Sequence, residues 1–73
     1  MQIDRIKNLR EDNDLTQQQV ADKLFITRSA YSNYENGSRA FPLDILSRLA
    51  DIYNTSVDYL IGRTNVKKPY PKK

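Results

Sequence analysis

The stretch QQQVADKLFITRSAYSNYENG, residues 17–37, constrains this chain more than any other. It holds two helix starts and one helix stop within a few turns of chain. Thr16 with Gln19 forms a capping box, in which hydroxyl and amide satisfy each other's orphan backbone donors. Thr27 is the N-cap of the next helix, and Gly37 ends it by taking a left-handed conformation without a Cβ clash. The helix opened at Thr16 has an apolar face of Val20, Ala21 and Leu24, too short to persist unless packed. Its neighbour begins just beyond Phe25 and Ile26, a connector with neither proline nor glycine. Two helices joined by so tight a turn cross steeply, with small Ala21 allowing close approach. Val20, Leu24, Ile26, Tyr31 and Tyr34 are then the buried positions.

Other helices flank this pair. Ile3, Ile6 and Leu9, separated by charges, predict an amphipathic helix over residues 2–13, after which Leu15 turns inward. Pro42 suits a first helical position, where no backbone donor is needed. Leu43, Leu46, Leu49, Ala50 and Tyr53 trace the helix that follows it. Thr55 or Ser56 caps a fifth, with Asp58 in its first turn and Val57, Tyr59, Leu60 and Ile61 as its apolar content. Gly62 closes a single domain over residues 1–62. The remaining RTNVKKPYPKK, residues 63–73, reads as a disordered basic tail. No strand alternation and no internal repeat occurs, so the expected fold is all-α, a compact five-helix bundle.

Composition removes several function classes. With no cysteine and no histidine among 73 residues, there is no disulfide framework, no thiolate or imidazole metal site, and the commonest general base is missing. Enzymatic activity, a resident metal and a cofactor are all unexpected, and no small-molecule site is evident. The charged N-terminus and the lack of a long apolar run exclude signal-peptide and membrane readings, so a cytoplasmic location is expected. The net charge of +3 is unevenly placed. All nine acids lie before Arg63, against seven bases, and the five bases of the tail reverse the sign.

Arg28, Ser29, Ser32 and Asn33 form a polar row on the helix capped by Thr27. Such a row is ordinarily a solvated face. Within a helix-turn-helix, however, the second helix presents these positions to the DNA major groove, together with Thr27 and Asn36. QQQVADKLFITRSAYSNYENGSR, followed by FPLDILSRLADIYNTSVDYLIGR, resembles the Cro/C1 repressor-type (XRE-like, lambda repressor-like) family of bacterial and phage DNA-binding domains. The resemblance implies a five-helix domain, with the helix-turn-helix in helices two and three, that binds operator DNA as a homodimer and regulates transcription.

Carried over by position, the resemblance makes Thr27, Arg28, Ser29, Ser32 and Asn33 base-contacting residues. Arginine's fork suits the O6 and N7 acceptors of guanine, and asparagine suits adenine. It makes Gln17, Asn36, Ser38 and Arg39 phosphate contacts, and pairs Arg10 with Glu35 as a structural ion pair. The family often has glycine where this chain has Phe25. Either the backbone there avoids positive φ, or Phe25 takes a strained conformation. The expected partner is double-stranded operator DNA bound by a homodimer, with part of helices four and five as the dimer surface. An antitoxin or anti-repressor, using the same fold to hold a partner protein, is the alternative.

Overall fold

A computed structural model describes residues 3–68. Five helices follow one another: α1 (Ile3–Asp12), α2 (Gln17–Leu24), α3 (Arg28–Glu35), α4 (Leu43–Ile52) and α5 (Val57–Leu60). Among the described residues there is no strand, and no helix is long and apolar enough to cross a membrane. The chain is therefore the five-helix, all-α architecture expected. Gln2, the first residue of the expected first helix, lies outside the described residues.

The caps act as their sequence implies. Gln19 N–H donates to Thr16 Oγ1 at 3.1 Å, and Thr16 N–H donates to Gln19 Oε1 at 2.8 Å. Ala30 N–H donates to Thr27 Oγ1, and Tyr59 N–H donates to Ser56 Oγ, so Ser56 and not Thr55 caps α5. Four of the five helix stops, those of α1, α2, α4 and α5, share one device. Asp14, Phe25, Asn54 and Gly62 each adopt positive φ just past a helix. The next residue's N–H then reaches back to a carbonyl of the last turn: Leu15 to Arg10, Ile26 to Ala21, Thr55 to Ala50, Arg63 to Asp58. These bonds satisfy helix-end carbonyls that would otherwise lack partners.

The core runs through all five helices. Ile6 and Leu9 of α1, Val20, Ala21 and Leu24 of α2, and Tyr31 of α3 meet Ile45, Leu46, Leu49 and Ala50 of α4 and Leu60 of α5. Ile26 and Tyr34, expected inside, are half-buried at its margin. Arg48 Nη1 of α4 donates to the Leu24 carbonyl at 3.0 Å, closing the end of α2.

Two details around α4 depart from the sequence reading. Pro42 is the N-cap, with extended backbone (φ −64°, ψ 151°), and Leu43 is the first helical residue. Proline's fixed φ serves either position. Here its carbonyl accepts from Leu46 N–H, the first bond of the helix. Leu43, expected on the apolar face, is consequently 72% exposed, and Phe41 fills the core in its place. Phe41 and Leu46 stand just before the cap and in the first full turn, the positions of a hydrophobic staple. Tyr31 packs edge-on against the Phe41 ring, and Tyr34 lies 5.4 Å from it.

Residues 63–68 continue along the body. Arg5 lies over the Tyr59 ring and donates to the carbonyls of Tyr59 and Thr64, while Thr55 Oγ1 donates to the Lys67 carbonyl. Residues 69–73, the remainder of the expected tail, lie outside the described residues.

Candidate nucleic-acid interface

The placement of α3 follows from its buried side. Tyr31 has no exposed surface, and Glu35, one turn later, is also buried. A helix fixed along positions 31 and 35 turns positions 29, 32, 33 and 36 away from that line, while Arg28, three residues before Tyr31, shares its stripe but is the first residue of the helix and so stands beyond the buried part. Arg28, Ser29 and Asn36 are exposed, while Ser32 and Asn33 are half-buried. None of the side chains of Arg28, Ser29, Ser32 and Asn33 bonds to another described residue. Their donors and acceptors are free for a ligand, as base-edge reading requires.

Other expected contact residues already have internal duties. The Thr27 oxygen accepts from Ala30 N–H, leaving its O–H proton and one lone pair to offer outward. Asn36 Oδ1 accepts from Ser38 N–H at 2.8 Å, leaving its amide nitrogen outward. Gln17 Nε2 donates to Glu35 Oε1 at 3.2 Å, so one of its two amide protons remains. Ser38 and Arg39 are exposed on the turn after α3, where Arg39 N–H donates to the Asn33 carbonyl.

Beneath this surface lies an ion pair. Arg10 Nη2 donates to Glu35 Oε1 at 2.7 Å and Arg10 Nε to Oε2 at 3.0 Å, a two-pronged contact suited to the guanidinium fork. A third donor, Nη1, bonds the Leu15 carbonyl. The two side chains are 12% and 3% exposed. Burial alone would push the Glu35 carboxyl up, but the donors of Arg10 and Gln17, with the Tyr31 hydroxyl close by, hold it below the ordinary carboxylate value. Arg10 is correspondingly raised, chiefly by its bond to Glu35.

The Tyr31 and Tyr53 hydroxyls are buried and make no hydrogen bond of ordinary geometry. Burial pushes the Tyr53 phenol up to about 12, and the nearby Glu35 charge adds to the shift. Tyr31 is raised by the same two influences and by its approach to Glu35. Glu35 thus joins α1 and the start of α2 to the end of α3, the helix that carries the polar row.

Phe25 resolves the question left by the turn. It sits in the left-handed region (φ 58°, ψ 40°) with its side chain 90% exposed. The tight connection imposes that conformation, because Ile26 N–H must reach back to the Ala21 carbonyl. Sequence reasoning missed Lys7, which lines a cleft of about 280 Å³ with Arg10, Gln17, Glu35 and Asn36. Its spacing from Arg10, one turn along α1, was the available signal.

Two capped helices across a tight turn, with the second presenting a free polar row, define a helix-turn-helix domain. The Helix-turn-helix family description matches residues 6–60, and the chain belongs to that family, in its Cro/C1-type branch of DNA-binding transcriptional regulators. It is 42% identical over 69 residues to the uncharacterized HTH-type transcriptional regulator YobD of Bacillus subtilis (strain 168), covering 94% of this chain and 62% of that one. To the HTH-type transcriptional regulator AnsR of the same organism it is 39% identical over 72 residues, covering 99% and 62%. The cryptic phage CTXphi transcriptional repressor RstR of Vibrio cholerae serotype O1 is 35% identical over 60 residues, covering 82% and 54%. The chain thus spans little more than half the length of these relatives. No solved structure matches it significantly.

Proposed function

We propose that this chain is the operator-binding part of a transcriptional repressor that acts as a homodimer on a palindromic DNA site. The observation that carries the reading is the row Arg28, Ser29, Ser32 and Asn33, whose side chains bond to no other described residue, on a helix anchored from behind by fully buried Tyr31. In this role Arg28 reads a guanine, and Ser29, Ser32, Asn33 and the Thr27 hydroxyl proton contact neighbouring base edges or their flanking phosphates. Gln17, Asn36, Ser38 and Arg39 hold the backbone and set the register without reading sequence.

Repression by occupancy needs no catalytic group. A dimer would set two α3 helices in successive major grooves about 34 Å apart and cover promoter elements. The half-buried apolar residues Val57, Tyr59 and Ile61, with exposed Leu43, supply surface for the second copy. The name of RstR, a repressor, supports the sign of regulation for a relative. One observation favours the rival partner-binding role: Phe25 exposes an aromatic ring on the turn between α2 and α3 and takes no part in the core.

Selection from a random duplex pool at near-physiological salt tests the reading. Enrichment of a palindrome with half-sites about one helical turn apart is the expected outcome. A lone asymmetric half-site would remove the dimer, and no enrichment would transfer the function to protein binding.

A further inference from the structure

Very few bonds set the direction in which α3 leaves α2. Phe25 N–H donates to the Ala21 and Asp22 carbonyls, and Ile26 N–H reaches back to Ala21. All of these close the last turn of α2 upon itself. From Thr27 onward the chain is held by its own cap, since Ala30 N–H donates to Thr27 Oγ1. Between the two ends stand Phe25 and Ile26, and a small rotation about either backbone swings the whole of α3.

Phe25 is a poor residue to hold such a joint by itself. At φ 58° its Cβ crowds the neighbouring carbonyl, so the right-handed and extended regions are intrinsically lower for it. Glycine would not oppose the left-handed conformation, whereas this turn works against its own residue. A tie from outside the pair adds to the hold. Arg48 Nη1 of α4 donates to the Leu24 carbonyl at 3.0 Å. Leu24 is fully buried, and its carbonyl shares a peptide plane with the Phe25 N–H that is already bonded to α2. Gripped on both sides, that plane cannot rotate without breaking a bond to an ionised donor. The guanidinium also stands at the negative end of the α2 dipole. Its own helix is fixed by Ile45, Leu46, Leu49 and Ala50 in the core, so the joint is tied to a rigid element.

We propose that Arg48 is a positioning residue for sequence reading: by holding the Leu24 carbonyl it fixes the angle at which α3 presents Arg28, Ser29, Ser32 and Asn33, without itself touching DNA. The inference rests on the operator-binding reading above. A binding constellation must be held within about 0.5 Å and about 10 to 20° to keep its bonds. Phosphate contacts made by long side chains follow a tilted helix more readily than base-edge contacts do. Loss of the tie therefore costs specific binding more than non-specific binding.

Arg48→Met keeps the apolar stem and removes the donors. Ile45→Val, a buried change in the same helix, weakens the fold without touching the turn. Both are compared with the wild type at a temperature where urea unfolding shows all three proteins fully folded. The affinities measured are those for the selected operator, for its single-base-pair variants and for an unrelated duplex, across salt. Arg48→Met is expected to bind the operator roughly five- to thirtyfold more weakly, a loss bounded by one charge-assisted hydrogen bond. Its discrimination should fall at several of the positions that α3 reads, while the salt slope and the affinity for unrelated duplex stay as they were. Ile45→Val should keep the wild-type discrimination. Without DNA, the three-bond HN–Hα couplings of Phe25 and Ile26 should depart from their wild-type values in Arg48→Met alone.

Unchanged discrimination in Arg48→Met, unchanged couplings at both turn residues, or an equal loss of discrimination in Ile45→Val overturns the positioning role and leaves the operator reading intact. A salt slope lower by about one would make Arg48 a phosphate contact and overturn the role as well. A wild type that binds no duplex specifically overturns both, whatever the couplings show.

Discussion

Replacing Arg10 by methionine keeps much of the side chain's apolar stem and removes the charge beneath α3. Glu35 would lose its two-pronged partner and keep only Gln17 and the approach of Tyr31. The Leu15 carbonyl would lose a donor as well. Stranding a carboxylate whose side chain is only 3% exposed costs roughly 3 kcal/mol, the lower end for a broken buried pair. A 73-residue domain has about 4 to 11 kcal/mol in total, so the variant should unfold roughly 12 to 24 °C lower. Thermal and urea denaturation at pH 7 measure this directly. The double variant Arg10→Met/Glu35→Leu removes both charges and should recover most of the loss, since an apolar replacement of a buried pair is often neutral.

The pH dependence should reverse in sign. In the wild type the Glu35 carboxyl is held below its unfolded value, so its stabilisation is present above about pH 4.3 and is lost as pH falls through the folded value. In Arg10→Met burial dominates and raises the carboxyl. Its protonated form is then favoured, and stability is lost as pH rises through that raised value. A loss under about 1 kcal/mol in the single variant would refute the reasoning. So would a double variant no more stable than the single.

Two further outcomes follow from the backbone and the buried phenols. Phe25→Gly relieves a left-handed residue costing about 1 to 2 kcal/mol, against about 0.4 to 1 kcal/mol of added unfolded-state freedom. Its urea midpoint should rise with unchanged slope, and a lower midpoint would show that the exposed ring contributes to the folded monomer after all. Raising the pH above 10 should progressively destabilise the fold, because Tyr53 ionises at about 12 when folded and near 10 when unfolded. Tyr53→Phe should blunt that alkaline loss, as followed by tyrosinate absorbance alongside helicity.

Local chemistry made most of the fold legible. Thr16, Gln19, Thr27 and Gly37 act within a few residues of themselves, so their hydroxyls, amide and missing Cβ state the helix limits without reference to the rest of the chain. What depends on tertiary packing was harder to read. The conformation of Phe25 is imposed by the crossing of α2 and α3 and opposes the residue's own preference. The exchange of Leu43 for Phe41 turns on a one-residue shift of the cap at Pro42, which is smaller than the reach of periodicity. The anchoring of residues 63–68 uses the carbonyls of Thr64 and Lys67, and a backbone acceptor leaves no mark in sequence. The cleft beside Lys7 was obscured for another reason: its lining residues Gln17, Glu35 and Asn36 come to Lys7 and Arg10 only when three helices meet.

In the proposed function, α3 reads DNA sequence through its exposed polar row. The most direct measurement is the affinity of wild type and Arg28→Ala for the selected operator and for each of its single-base-pair variants, at fixed salt. Arg28→Ala should lose about 1 to 3 kcal/mol on the operator and lose discrimination at one base pair per half-site, retaining it elsewhere. A uniform loss across every variant, or an unchanged preference at all positions, would contradict the claim.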